Sequence, residues 1–188
     1  MRKLHVVLGV VLGAVLPTLA VAGLVTTPLS SKDGLVTVAA PQNEGWSCAE
    51  QSVTHPVPTT LLKCRRVVAG EFFFAMAKQY QVPADQVKTA KELATDVYPA
   101  DYAKFFRRYD ITGTSEVALQ GITGVETRLD AVHEVKGEVR KVERVFVQGR
   151  NVFLLSAEGY KVQFDGWKGF IDAWMTGARF KAVVEPKK

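Results

Sequence analysis

Residues 149–180, GRNVFLLSAEGYKVQFDGWKGFIDAWMTGARF, constrain the fold more than any other part of the chain. They begin as a β-rich run and pass into an amphipathic helix in which Trp167, Phe170, Ile171, Trp174 and Ala178 recur at helical spacing. Asp165 is placed to cap this helix and Gly177 to end it. All but one of the three tryptophans lie here. Burying two Trp, a Phe and an Ile contributes about 1.5–3 kcal/mol or more for each, so the segment predicts the packing centre of the domain. It carries no evident chemistry.

The preceding residues extend the β pattern. Runs at 139–147 and 151–157 flank Gln148-Gly149-Arg150, the punctuation of a hairpin. Further back, Val125, Thr127, Leu129, Ala131, His133 and Val135 alternate with Glu126, Arg128, Asp130, Val132, Glu134 and Lys136, a half-buried strand with His133 on its less polar side. Val132, Val135, Val139, Val142 and Phe146 also fall at helical intervals. Gly137 and the many valines favour two strands with a turn at Lys136-Gly137.

In the first half, 71–80 (EFFFAMAKQY) reads as a strand buried on both faces, although its AMAK segment would also suit a helix. Pro83-Ala84-Asp85 opens a helix carried by Val87, Ala90, Leu93, Ala94 and Val97 and ended by Pro99. A second short helix over 100–109 sets Tyr102, Phe105, Phe106 and Tyr109 on one side, read as core. Residues 110–116 read as a turn region. Residues 46–48 and 61–64 read as strands joined by a Pro-rich loop, and 179–184 as a last short strand. Residues 23–44 form a flexible lead-in with a short edge strand at 35–39, and 185–188 a charged tail. The predicted class is α+β: one domain at 45–184, a mostly antiparallel β-sheet flanked by helices.

Arg2 and Lys3, an uncharged run at 6–16, Pro17 and the small residues Ala20-Val21-Ala22 predict a cleaved signal peptide at 1–22. The run is shorter than the roughly 20 residues of a spanning helix, and no Cys stands near the cleavage site for lipid attachment. A retained anchor is the alternative. The mature chain is therefore expected to be periplasmic or secreted, with no transmembrane span after cleavage. Losing Arg2 and Lys3 lowers the net charge from +5 to +3, which is no nucleic-acid footprint. Basic residues gather at Lys63, Arg65 and Arg66, at Lys104, Arg107 and Arg108, and at Arg140, Lys141 and Arg144. These read as solvated faces, with peripheral contact to an anionic envelope surface as the functional alternative.

Cys48 and Cys64 are the only cysteines, and in an exported chain without CxxC spacing they predict a disulfide. No catalytic set assembles. His55 sits beside Pro56 and reads as exposed, His133 as packed, and Gly121-Ile122-Thr123-Gly124 as a turn. The acid pairs Asp96 with Asp101 and Glu134 with Glu138 read as ordinary surface charge. There is no GxSxG, no phosphate-cradling glycine loop and no metal-ligand spacing. The expectation is a non-enzyme with no cofactor and no metal.

The order Gly124-Val125-Glu126-Thr127-Arg128-Leu129-Asp130, a Gly-marked turn, the hairpin from Val145-Phe146-Val147 to Val152-Phe153-Leu154-Leu155-Ser156-Ala157, and an aromatic helix ending in Ala178-Arg179-Phe180 resembles the PsbP-like and Mog-type fold group, including the DcrB-like bacterial envelope proteins. The resemblance covers roughly residues 111–184. It implies a central antiparallel sheet flanked by helices and a binding or assembly role without a catalytic site. It carries over no functional residue.

The expected function is an exported, non-enzymatic binding or assembly domain for an unidentified envelope or extracellular protein, with Lys104, Arg107, Arg108, Arg128 and Asp130 as candidate contacts. The alternative is a small-ligand carrier whose aromatics at 72–74 and 102–109 line a pocket between sheet and helices. A third reading is a hydrolase built on His133 and neighbouring carboxylates.

Overall fold

The computed structural model describes residues 25–53, 57–66 and 68–183; the signal segment, the charged tail and His55 lie outside the described residues. The described chain opens with β1 (Thr26–Ser30) and β2 (Val36–Pro41). Then follow β3 (Trp46–Val53), β4 (Thr59–Arg66) and β5 (Phe73–Gln81). A helical segment comes next, made of α1 (Ala90–Glu92), a π-helical turn (Leu93–Val97) and α2 (Tyr98–Phe105). Four long strands follow: β6 (Phe106–Leu119), β7 (Ile122–His133), β8 (Gly137–Gln148) and β9 (Asn151–Tyr160). The chain closes with α3 (Lys161–Phe164), a 3₁₀ turn (Asp165–Trp167), α4 (Lys168–Gly177) and β10 (Arg179–Phe180).

Strands β3 to β9 make one antiparallel sheet in the order β3-β4-β5-β9-β8-β7-β6. Strand β9 runs through its middle, and all its residues except Tyr160 are buried, as a strand covered on both faces requires. On one face, Phe73, Ala75, Phe146, Phe153 and Leu155 meet Phe164, Phe170, Trp174 and Met175 of the last helical run, together with Val36 and Val38 of β2. On the other face, Val145, Val152 and Leu154 pack on Leu93 and Ala94, while Leu129, Ala131 and Val139 pack with Tyr102 and Phe106. The domain is thus a mostly antiparallel sheet with helices on both faces, as the α+β reading expects.

The segment expected as a flexible lead-in is instead part of the fold. Strand β2 is the middle of a separate three-stranded sheet, β1-β2-β10, and Val36, Val38 and Ala40 are buried. Every second residue of β2 is apolar and meets the underside of α4, so its stability comes from a partner distant in sequence.

Pro99 does not end a helix. It lies in the first turn of α2, which continues directly from the π-helical turn, where the Tyr98 N–H donates to the Leu93 carbonyl five residues back. That wider turn frees the chain from the ladder the proline ring would obstruct. Tyr109, expected on the second helix, lies in β6. So do residues 110–116, expected as a turn: they pair along β7, with register shifts at Phe106/Arg108 and Ile111/Gly113 absorbing the irregularity. The reversal occurs at Gln120 and Gly121, both at positive φ as a two-residue hairpin turn demands. Asp165 does not cap α4, whose N-cap is Trp167 without a side-chain bond; its carboxylate faces Arg140 at 3.3 Å.

Candidate functional site

The helical segment 90–105 covers one face of the sheet over β7, β8 and β9 and stops short of the opposite flank. The uncovered part of that face on β4 and β5, together with α2, bounds a groove of about 930 Å³. Strand alternation decides what lines it. Lys63 and Arg65 of β4 and Phe74, Met76 and Lys78 of β5 project to the same side because the register pairs Lys63 with Met76 and Arg65 with Phe74. Continuing across the sheet, Phe74 pairs with Glu158 and Glu158 with Lys141, while Met76 pairs with Ser156 and Ser156 with Glu143.

The floor is aromatic and the charges are mostly cationic. Lys63 Nζ lies 5.0 Å from the Phe74 ring centre, and Lys136 Nζ lies 3.8 Å from that of Phe72. These are cation–π distances, stronger where water is thinned. Lys141 Nζ stands over the Tyr102 ring and reaches Glu143 Oε2 at 2.6 Å. Tyr102 donates to Glu143 Oε1 at 2.6 Å, and burial and the adjacent carboxylate hold its phenol far above the ordinary range, so it remains a donor. Tyr98 and Tyr80 join hydroxyls at 3.1 Å further along the wall. Phe105, the last residue of α2, is 64% exposed at the groove.

Lys78 is the odd member. Burial lowers its ammonium pKa, against the raising influence of Asp101 and Glu143. Among the described residues neither Lys63, Arg65 nor Lys78 is within salt-bridge distance of a carboxylate, whereas Lys136 meets Glu158 at 3.7 Å and Arg66 meets Glu71 at 2.7 Å. The groove therefore keeps a surplus of positive charge above an apolar surface.

The sheet with helices on both faces matches solved structures across most of their length. The solution structure of cyanobacterial PsbP (CyanoP) from Synechocystis sp. PCC 6803 superposes with a TM-score of 0.58 at 12% identity, covering 85% of this chain and 95% of that one. The fold is PsbP-like. The crystal structure of LpqN, involved in cell envelope biogenesis of Mycobacterium tuberculosis, gives 0.52 at 15% identity, covering 83% and 90%. No protein-family model and no curated protein matches the chain.

On this PsbP-like scaffold the five cation and acid positions singled out from the sequence lie outside the aromatic groove. Lys104 pairs with Asp101 at 2.7 Å and Arg107 with Glu134 at 3.7 Å, all on exposed surface. Arg108 and Asp130 line a separate hollow of about 490 Å³. Asp130 is engaged by Arg140 at 2.7 Å and Lys161 at 2.9 Å. Arg128 pairs with Glu126 at 2.8 Å rather than with Asp130. The two share a side of β7, as the alternation predicts, but each has its own partner.

His133 does reach the groove, but its Nδ1 accepts from the backbone N–H groups of Val135 at 3.1 Å and Lys136 at 3.4 Å, tying the β7–β8 turn. No group of three His, Cys, Asp or Glu able to hold a metal ion occurs among the described residues. The carrier reading named the aromatics at 72–74 and 102–109; of these, Phe72, Phe73, Phe74, Tyr102, Phe105 and Phe106 line the groove and Tyr109 does not. The lysines at 78, 136 and 141 come from three strands and turns that no sequence spacing connects. The one available signal was the cation-every-second-residue pattern of Lys63 and Arg65.

Proposed function

We propose that the chain is an exported, non-enzymatic binding domain of the cell envelope or the extracellular space, and that it holds its partner in the groove between β4, β5 and α2. The observation that carries this reading is an open aromatic groove of about 930 Å³ bearing Lys63 and Lys78, which have no ion pair among the described residues. A surface of that kind gains by being covered, because covering removes apolar area from water and supplies the missing counter-charge. The signal-like segment at 1–22 supports export. The Cys48–Cys64 disulfide agrees with an oxidising compartment. The envelope link of LpqN agrees with the same setting.

A small-ligand carrier is the more specific form of this reading, favoured by the ring-lined wall from Phe74 to Tyr102. Assembly with an envelope protein through the same groove is its competitor. A photoreactive residue at Phe105, at the groove, and another at Val162, 91% exposed on the other side of the sheet, separate binding in the groove from adhesion elsewhere. Adducts formed in the producing cells, identified by mass, are expected from position 105 and not from position 162. Equal yields at both positions, or none at 105, would reject the groove as the binding surface.

A further inference from the structure

Lys63 and Lys78 lie on the same face of neighbouring antiparallel strands. The register sets Lys63 opposite Met76 and Leu61 opposite Lys78, so the two lysines form a diagonal pair. Their ammoniums turn to different rings of β5, Lys63 Nζ over Phe74 at 5.0 Å and Lys78 Nζ over Tyr80 at 4.7 Å. Neither ammonium has an ion-pair partner among the described residues, and Lys78 is half-buried with its charged form disfavoured. Asp101 of α2 and Glu143 of β8 favour the Lys78 charge from beyond ion-pair distance and burial outweighs them, so a further anion on this flank would stabilise the charged form. Beside them the surface changes character: Met76, Phe74 and Phe72 continue along the floor, and Phe105 stands exposed at the groove.

We infer that the groove binds a small amphiphile whose anionic group lies at the lysines of β4 and β5, Lys63 and Lys78, and whose apolar body lies along Met76, Phe74 and Phe105. The inference rests on the groove being the binding surface and adds the ligand's chemistry. Charge complementarity selects the anion: around the lining, Lys63, Arg65, Arg66, Lys78, Lys136 and Lys141 face Asp101, Glu143 and Glu158. The acids are already engaged. Asp101 is paired with Lys104, Glu143 is bonded by Lys141 and Tyr102, and Glu158 by Lys136, so the surplus is local to β4 and β5. The apolar body follows from the rings, which offer area and no hydrogen-bonding partner of their own. The groove volume is that of a site for a single small molecule.

The test is isothermal titration of the mature protein with a charge series on one twelve-carbon chain, laurate, dodecyl maltoside and dodecyltrimethylammonium, each below its micellar concentration, with acetate as the chainless anion. Laurate is expected to bind about tenfold or more tighter than any of the other three, the weight of one or two charge-assisted contacts. Lys78→Met is expected to weaken laurate about tenfold and Lys78→Arg to restore most of it. Equal affinity for laurate and dodecyl maltoside would overturn the anion assignment while leaving the groove reading intact. Binding of acetate as tight as laurate would overturn the apolar body. If no twelve-carbon probe binds, the amphiphile assignment falls, and adducts at position 105 then decide separately whether the groove binds anything. Sedimentation with phosphatidylglycerol vesicles that laurate does not reverse would assign the cations to a membrane surface instead and overturn the single-molecule site.

Discussion

Tyr102 of α2 donates a 2.6 Å hydrogen bond to Glu143 at the middle of β8, joining the helix to the sheet through a buried carboxylate. The other carboxylate oxygen is taken by Lys141. Tyr102→Phe removes one of these two donors and leaves the ring packing in place. It is expected to destabilise the fold by about 1–3 kcal/mol, read as a lowered denaturant midpoint at unchanged slope. An unchanged midpoint would mean that this bond does not hold α2 in place.

Cys48 and Cys64 sit directly opposite each other on β3 and β4, bonded through their sulfurs with a sequence separation of 16. Closing a loop of that length stabilises by roughly 3 kcal/mol in the chain-entropy picture. Reduction, or the Cys48→Ala/Cys64→Ala pair, is therefore expected to lower the unfolding free energy by a few kcal/mol. Cys64 is fully buried in the core, so Cys64→Ser alone should do worse than Cys64→Ala.

Gly124 on β7 has no room for a side chain. A Cβ there would land on the Val145 carbonyl oxygen and the Phe146 ring of β8. The backbone oxygen cannot move without breaking the β7–β8 register, so Gly124→Ala is expected to cost about 1–3 kcal/mol. Thermal unfolding checks it; a neutral substitution would show that the two strands can separate locally at no loss.

Acid should weaken the domain through the charged cluster on the α4 side of the sheet. Hydrogen bonding from Arg140 leads the effects that hold the Asp130 carboxyl below its ordinary value of 3.8. Burial pushes Glu126 up, but hydrogen bonds from Arg128 and Arg144 outweigh it and leave it below 4.5. Both are groups with a depressed folded pKa, so their stabilisation is complete above those ordinary values and is lost as the pH falls through the folded ones. Between about pH 5 and pH 2 the wild type should lose more stability than Asp130→Asn, which lacks the titrating carboxyl. Parallel curves would remove Asp130 from the account.

Lys78→Met should raise the thermal midpoint while weakening anion binding. Burial disfavours the ammonium, and a lowered lysine pKa means that the charged form burdens the fold below the folded value and that the burden lifts as the pH rises toward 10.5. A methionine of similar length removes the burden at neutral pH and keeps the packing. Stability gained and affinity lost together are the signature of a residue kept for binding. A variant less stable than wild type would contradict this.

The hairpin from 137 to 160, the turn at Lys136-Gly137 and the aromatic helical run were legible in the sequence. Each rests on contacts within a few residues: valine-rich alternation, a glycine at a reversal, and apolar residues at helical spacing. The same local cues misplaced residues 110–116, where Gly113 and three threonines and serines suggest a turn but pairing with β7 fixes a strand. They miss the role of 23–44, whose Val36 and Val38 are buried by α4 and β10 from the far end of the chain together with the residues of β4 and β5. Pro99 reads locally as a stop because no short pattern announces the π-helical turn that accommodates it.

Residues 149–180 alone determined the packing centre, because a run that apolar has nowhere to go but the middle of the sheet and the helix above it. The groove was decided by tertiary structure. Phe74, Lys63, Lys78 and Lys141 come from three strands, and two things bring them to one surface: the antiparallel register, and a helix that ends before it covers β4 and β5. Neither is a property of any short stretch of chain, since register is set by pairing between distant strands and coverage by how far one element reaches over another.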